Sequence, residues 1–189
     1  MTTNCQNLKE NDVFCKIITT FAEIQKNELV KKALLISLMA LAMCLSSAAA
    51  DFKTFENEIF TIGYPSDWEE TYLSDDCLNV ATTDGEIRFD VTFNEQGPMK
   101  SQLKETADNW EYMKTSNGHK VDQKLVKDDY VLVRSIETDE DDGSQMVVVW
   151  FLMITTEPQC FSGSIQSPLS RANEAIDILV DMLATLSKK

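Results

Sequence analysis

The chain has 189 residues, 43% of them apolar and 25% charged, with 17 Lys+Arg against 31 Asp+Glu and a net charge of −14. That balance fits a single globular domain and not a disordered chain. Its negative field opposes nucleic-acid phosphate and anionic lipid, which excludes DNA, RNA and acidic membrane surfaces as natural partners.

Residues 1–30 read in one of two ways. Translation from Leu29 or Val30 would place Lys31-Lys32 directly behind the initiator, making the preceding residues an artefact of a mis-assigned start. Alternatively they form a short extension, since Phe14, Ile17, Ile18, Phe21 and Ile24 recur at helical spacing. Residues 31–50 have the three parts of a secretory signal: Lys31-Lys32, the apolar run Ala33–Met43, and the small residues Ser46 to Ala50. Ala48 and Ala50 suit the −3 and −1 positions of signal peptidase, which places cleavage after Ala50 and export to the periplasm or beyond a bacterial-type envelope. A membrane anchor would need about 20 strongly apolar residues, and this run decays into Ser and Ala after Leu45. Lipidation at Cys44 calls for a small preceding residue, and Met43 is not small.

With 5 Lys and 4 Asp+Glu lying in residues 1–50, residues 51–189 carry 12 basic and 27 acidic side chains, a net of −15. Within them Phe60, Ile62 and Tyr64 alternate with Thr61 and Gly63, a strand that Pro65 stops. Leu78 to Thr83 reads as a strand and Asp84-Gly85 as a tight turn. Ile87, Phe89, Val91 and Phe93 then point one way, with Arg88, Asp90, Thr92 and Asn94 pointing the other.

The period changes after Gly97-Pro98: Met99, Leu103, Ala107, Trp110 and Met113 predict a helix over 98–115, ending before Asn117-Gly118. Val121–Val126 and Tyr130–Ile136 read as strands, followed by a turn at Asp141-Asp142-Gly143. Met146–Ile154 is nine apolar residues without a break, which a strand tolerates only when both faces are covered. A second helix over 168–187 starts at Pro168 and carries Leu169, Ala172, Ile176, Leu179, Leu183 and Leu186 as its apolar stripe, with Lys188-Lys189 complementing its dipole. The expected fold is α+β: a mainly antiparallel sheet with one helix on each face.

The strand Phe60-Thr61-Ile62-Gly63-Tyr64-Pro65-Ser66-Asp67-Trp68, the strand–helix–strand order and the closing helix that ends Met182-Leu183-Ala184-Thr185-Leu186-Ser187 resemble the PsbP-like family over residues 53–187. That family includes the extrinsic PsbP protein of photosystem II and many exported bacterial proteins, and it shares its fold with a nuclear Ran-binding protein. The resemblance implies an α/β/α sandwich and a non-catalytic accessory or binding role. It carries over no ligand residue, and nothing in the chain points to photosynthesis.

The residues themselves argue against familiar catalysis. The one histidine, His119, sits at a predicted helix end, and no Gly-x-Ser-x-Gly elbow, phosphate loop or dinucleotide glycine pattern is present. Adjacent carboxylates such as Glu69-Glu70, Asp75-Asp76 and Asp128-Asp129 point to opposite faces of a strand, so none is a dyad by itself. The cluster around Asp139, Asp141 and Asp142 has hard oxygen ligands suited to weak Ca2+ binding, but it places Asp142 where an EF-hand needs glycine and Val148 where it needs the bidentate acid. No other cofactor is expected. Cys77 and Cys160, the two cysteines beyond Ala50, are either a disulfide or two reduced thiols on separate strands.

On the last helix Glu174, Asp177 and Asp181 form an acidic row suited to a basic protein partner. The expected function is an exported, non-catalytic accessory or binding protein of the envelope. Its rivals are a small secreted hydrolase built on a carboxylate pair and a weak divalent-cation-binding envelope protein.

Overall fold

The computed structural model of the protein describes residues 51–138 and 143–189. Two antiparallel sheets form. The smaller has the order β1 (Phe52–Glu56), β2 (Phe60–Pro65) and β10 (Ser187–Lys188). The larger has seven strands: β3 (Glu69–Leu73), β4 (Cys77–Ala81), β5 (Arg88–Asn94), β9 (Gln159–Pro168), β8 (Gln145–Thr156), β7 (Tyr130–Thr138) and β6 (Lys120–Val126), in that spatial order. Helices α1 (Leu103–Ser116) and α2 (Ala172–Thr185) each follow a short 3-10 turn. The antiparallel α+β architecture is the one read from the sequence.

β8 lies between β9 and β7 and is covered on both faces, so its apolar run is unbroken: Val147, Val149 and Phe151 are buried on one face, Val148, Leu152 and Ile154 on the other. On the first face Phe161 of β9 packs edge-on against Phe60 of β2 at 5.5 Å and against Phe93 of β5 at 5.4 Å, so the small sheet covers this side. α2 lies on the same side. The Thr185 hydroxyl accepts the Gly63 N–H at 2.7 Å, and Ala175, Ile176, Leu179, Met182 and Leu183 are buried. On the opposite face α1 lies over β6 and β7, its Leu103 and Ala107 in one core with Val131, Val133, Leu152, Ile154 and Cys160. One helix per face is therefore realised.

α1 stops where Gly118 takes φ +81°, a conformation that costs glycine little. That turn lets the His119 N–H reach back to the Lys114 carbonyl at 3.0 Å.

Several details differ from the sequence reading. β9, at the centre of the large sheet, carries Ser162, Gly163, Ser164, Gln166 and Ser167 and has no strand signature in sequence, yet it pairs on both sides. β1, β3 and β10 are also additional strands. The last helix ends at Thr185, two residues early, because Leu186 turns extended and Ser187-Lys188 add to β2. Lys189 consequently meets Glu56 at 2.7 Å and does not cap the helix dipole.

Candidate functional site

The strand registers place side chains of separate strands in rows that cross the large sheet. One row on the α1 face reads Tyr72, Asn79, Asp90, Ser164, Trp150, Val133, Lys124, each residue opposite the next on the neighbouring strand. The row on one side of it reads Cys77, Thr92, Ser162, Leu152, Val131, and the row on the other Glu69, Ala81, Arg88, Gln166, Val148, Ser135. These three rows are polar over β4, β5 and β9 apart from Cys77 and Ala81, and each turns apolar at β8, with Trp150, Leu152 and Val148.

α1 is anchored by Leu103 and Ala107 in the core over β6 and β7, and its charges line the β6 side. Lys124 of β6 bonds Asp108 at 2.8 Å and also Glu111, so that flank of the helix faces the β6 edge. Lys104 and Lys124 together hold the Asp108 carboxyl down at about 2. The other flank, with Thr106, Trp110 and Met113, then borders the open half by helical spacing. At that border Trp110 meets Trp150 edge-to-face at 5.4 Å, and the Lys114 ammonium lies 4.1 Å from the centre of the Trp150 ring.

Lys114 also pairs with Glu137 at 2.6 Å, which takes the Ser135 hydroxyl at 2.7 Å and stands 3.7 Å from His119 Nε2. Burial pushes the Glu137 pKa up. The Lys114 and Ser135 hydrogen bonds and the nearby positive charge outweigh it, and the net direction is down. His119 is therefore a half-buried neighbour of an ion pair and not the freely solvated residue its loop position suggests.

On the polar floor, Asp90 accepts the Ser164 N–H at 3.2 Å and the Ser164 hydroxyl at 2.5 Å, one on each carboxylate oxygen. Burial raises its pKa, partly offset by those two bonds. Its neighbours on this face are Asn79, Ser164, Arg88 and Thr92, with no second carboxylate opposite it. Asn94 donates to the Ser162 hydroxyl at 3.0 Å, and the Cys77 thiol lies 3.3 Å from Asn79 Oδ1. Gly163 makes this packing feasible: any Cβ there would be driven into the Asp90 carbonyl and the Phe151 ring. At the outer lip, Tyr72 is 57% exposed on edge strand β3.

The residues singled out from sequence are scattered. The disulfide alternative is not realised: Cys77 and Cys160 are both free. β5 separates their strands, so the two backbones lie about 9–10 Å apart, beyond the span a disulfide bridges. Cys160 is buried beneath α1, and burial pushes its thiol pKa up.

The acidic row of the last helix divides. Glu174 is held by a bidentate pair with Arg171 at 2.7 and 2.9 Å, and the same guanidinium binds Asp84 and Glu86 of the β4–β5 turn. Asp177 and Asp181 have no cationic partner among the described residues. Partial burial raises both pKa values, and for Asp181 the Asp177 charge one turn away adds to it. Asp139, Asp141, Asp142, Ala50 and Cys44 lie outside the described residues, and no group of metal-ligating side chains occurs among the described ones.

Sequence reasoning missed the row from Tyr72 to Trp150. Only the outward alternation of Arg88, Asp90, Thr92 and Asn94 gave a signal for it.

No family model and no curated protein sequence matches the chain. Solved structures do. The chain is similar to the Ran-binding protein Mog1p of Saccharomyces cerevisiae, with a TM-score of 0.55 and 16% identity over 74% of this chain and 96% of that one. It is also similar to the cyanobacterial PsbP protein CyanoP of Synechocystis, with a TM-score of 0.54 and 7% identity over 77% and 97%. A Bacteroides thetaiotaomicron structure matches with a TM-score of 0.47 and 17% identity over 72% of this chain, which spans only 48% of that protein. At these identities the likeness to Mog1p and CyanoP establishes the Mog1/PsbP-like α+β fold and nothing finer.

Proposed function

We propose that the chain is an exported, non-catalytic PsbP-like binding protein of the cell envelope that engages a basic protein partner. The observation that carries this reading is the Asp177–Asp181 pair on α2: two adjacent carboxylates, exposed and lacking an internal cation among the described residues. Like charges one turn apart repel, and a Lys- or Arg-bearing surface would relieve that repulsion. The fold it shares with a Ran-binding protein supports a protein partner, and the net charge of −14 supports a basic one. Glu174 drops out of the proposed contact because Arg171 already neutralises it.

The reading is tested by capture from envelope extract at low and high salt, comparing the wild type with the double variant Asp177→Asn/Asp181→Asn. A specific partner should be retained at low salt and released above physiological ionic strength, where the screening length falls below about 8 Å. The double variant should lose it, while Glu174→Gln keeps it. A partner held equally by wild type and double variant removes the reading's main support. Intact-mass analysis of the exported protein, expected to begin near Asp51, tests the export component.

A further inference from the structure

β3 closes one end of the seven-strand order, and no described strand pairs with its outer side. All five of its residues are exposed, Tyr72 by 57% and Leu73 by 47%. Just beyond it Ser74 and Cys77 exchange hydrogen bonds, N–H to carbonyl, at 3.0 and 3.5 Å. Antiparallel pairs alternate between bonded and unbonded positions. Leu73, opposite Leu78, therefore turns its own N–H and C=O away from β4 and out of the sheet.

These open backbone groups sit in a field of one sign. Asp67, Glu69, Glu70, Asp75 and Asp76 fall within ten residues that contain no Lys or Arg. Two lysines of neighbouring elements are engaged elsewhere: Lys53 donates to the Trp68 carbonyl at 2.8 Å, and Lys189 pairs with Glu56 at 2.7 Å. Two residues past Leu73, Asp75 lines a cleft of about 450 Å3 together with Glu58 of the β1–β2 turn.

We infer that the outer edge of β3 receives an extended segment of a Lys- or Arg-bearing protein, which adds to the large sheet as a further strand. Three physical arguments select that occupant. First, unpaired backbone groups at a sheet edge are directional and are satisfied by another backbone. Second, Tyr72 and Leu73 are successive strand residues and take opposite faces of the sheet. An added strand covers both, whereas a surface docked on one face meets only one.

Third, five carboxylates that meet no cation among the described residues call for a basic occupant. A second copy of this chain would double that charge and would meet the irregularity between Glu70 and Tyr72, and both features discourage edge-to-edge self-pairing. The inference rests on the basic-partner reading only for the partner's charge, since the contact is separate from Asp177 and Asp181.

The test is fluorescence anisotropy of the full chain with three fluorescein-labelled heptapeptides: alternating Lys and Val, alternating Glu and Val, and the Lys-Val peptide with every backbone amide N-methylated. The basic peptide should bind, more weakly as NaCl rises past physiological strength, and the acidic one should not. N-methylation removes the donors a strand needs while leaving the charge in place, and should abolish binding. Leu73→Pro deletes the outward N–H at an edge position that accepts proline. It should weaken binding roughly three- to tenfold, the worth of one hydrogen bond. Glu69→Lys should weaken it through charge alone. Both variants should melt at the wild-type temperature, which separates lost contact from lost fold; if Leu73→Pro melts early, Glu69→Lys decides.

The Asp177→Asn/Asp181→Asn variant should bind the basic peptide as wild type does, so failure here and failure of the α2 contact are distinguishable. No binding of the basic peptide overturns the inference. So does equal binding of its N-methylated form, or binding untouched by Glu69→Lys. If the chain is instead dimeric by light scattering and Leu73→Pro makes it monomeric, the edge belongs to a second copy and the inference falls.

Discussion

Two halves of one sheet face, made from strands in a single register, carry opposite chemistry. Over β6, β7 and β8 the inward positions include Val121, Val126, Val131, Val133, Leu152 and Ile154, which form one core with Leu103 and Ala107 of α1. Over β4, β5 and β9 the same rows continue as Asn79, Asp90, Thr92, Ser162 and Ser164, and no described helix follows. The sheet supplies a continuous scaffold, and α1 decides which part of this face becomes core. A side chain's role here is set by its distance from that helix and not by the strand it belongs to.

The largest contrast is expected between two residues of one row. Leu152→Ala removes apolar volume beneath α1 and should cost about 2–5 kcal/mol in urea denaturation. Thr92→Ala, two strands away in the same row, should cost under about 0.5–1 kcal/mol. Equal losses would mean the open half is as closely packed as the covered one.

Next in size is Gly163→Ala. The added methyl would press on the Asp90 carbonyl, which cannot retreat without loosening the β5–β9 ladder, and thermal unfolding should show a loss of about 1–3 kcal/mol. A neutral result would mean that β5 and β9 are not so closely apposed.

Smaller effects are expected where the halves meet. Lys114→Met keeps the apolar stem over Trp150 but removes the ion pair with Glu137 and the cation–π contact, for about 1–2 kcal/mol at neutral pH. Because the folded pKa of Glu137 is depressed, the stability it contributes is present above its ordinary value of 4.5 and is lost as pH falls through the folded value. The gap between wild type and variant should therefore close below about pH 4.5 in a series of melting curves. A gap independent of pH would assign the effect to packing alone.

The smallest effect belongs to the open floor. Asp90→Asn should change stability by less than about 1 kcal/mol at pH 7. It trades a partly desolvated charge for an amide that still accepts from Ser164. The folded pKa of Asp90 is raised, so wild type gains stability relative to the variant as pH falls through that value towards the ordinary one of 3.8. A difference that stays constant across this range would show that Asp90 is not desolvated.

Local chemistry explains what was legible in the chain. The strict alternation from Ile87 to Asn94 identifies β5 because one face of that strand is core and the other is not. The unbroken run Met146–Ile154 announces an interior strand, since only a strand covered on both faces can be apolar on both. Both helices follow from three- and four-residue spacing, and α1 ends at Ser116, just ahead of the left-handed turn at Gly118.

Other features are decided only by strands and helices meeting from distant parts of the chain. β9 is central although six of its ten residues are Ser, Gly or Gln, because pairing on both sides stabilises a strand whose own propensity is weak. Glu174 reads as a free acid until Arg171 and the β4–β5 turn fold onto it. Cys77 and Cys160 are separated by β5, a relation fixed by strand order and invisible in their spacing. The row from Tyr72 to Trp150 joins two separate stretches of the chain, β3 to β5 and β8 to β9, that meet where β5 pairs with β9. Periodicity along one strand reports which face a residue takes, but only hydrogen-bond register between strands decides which residues stand side by side.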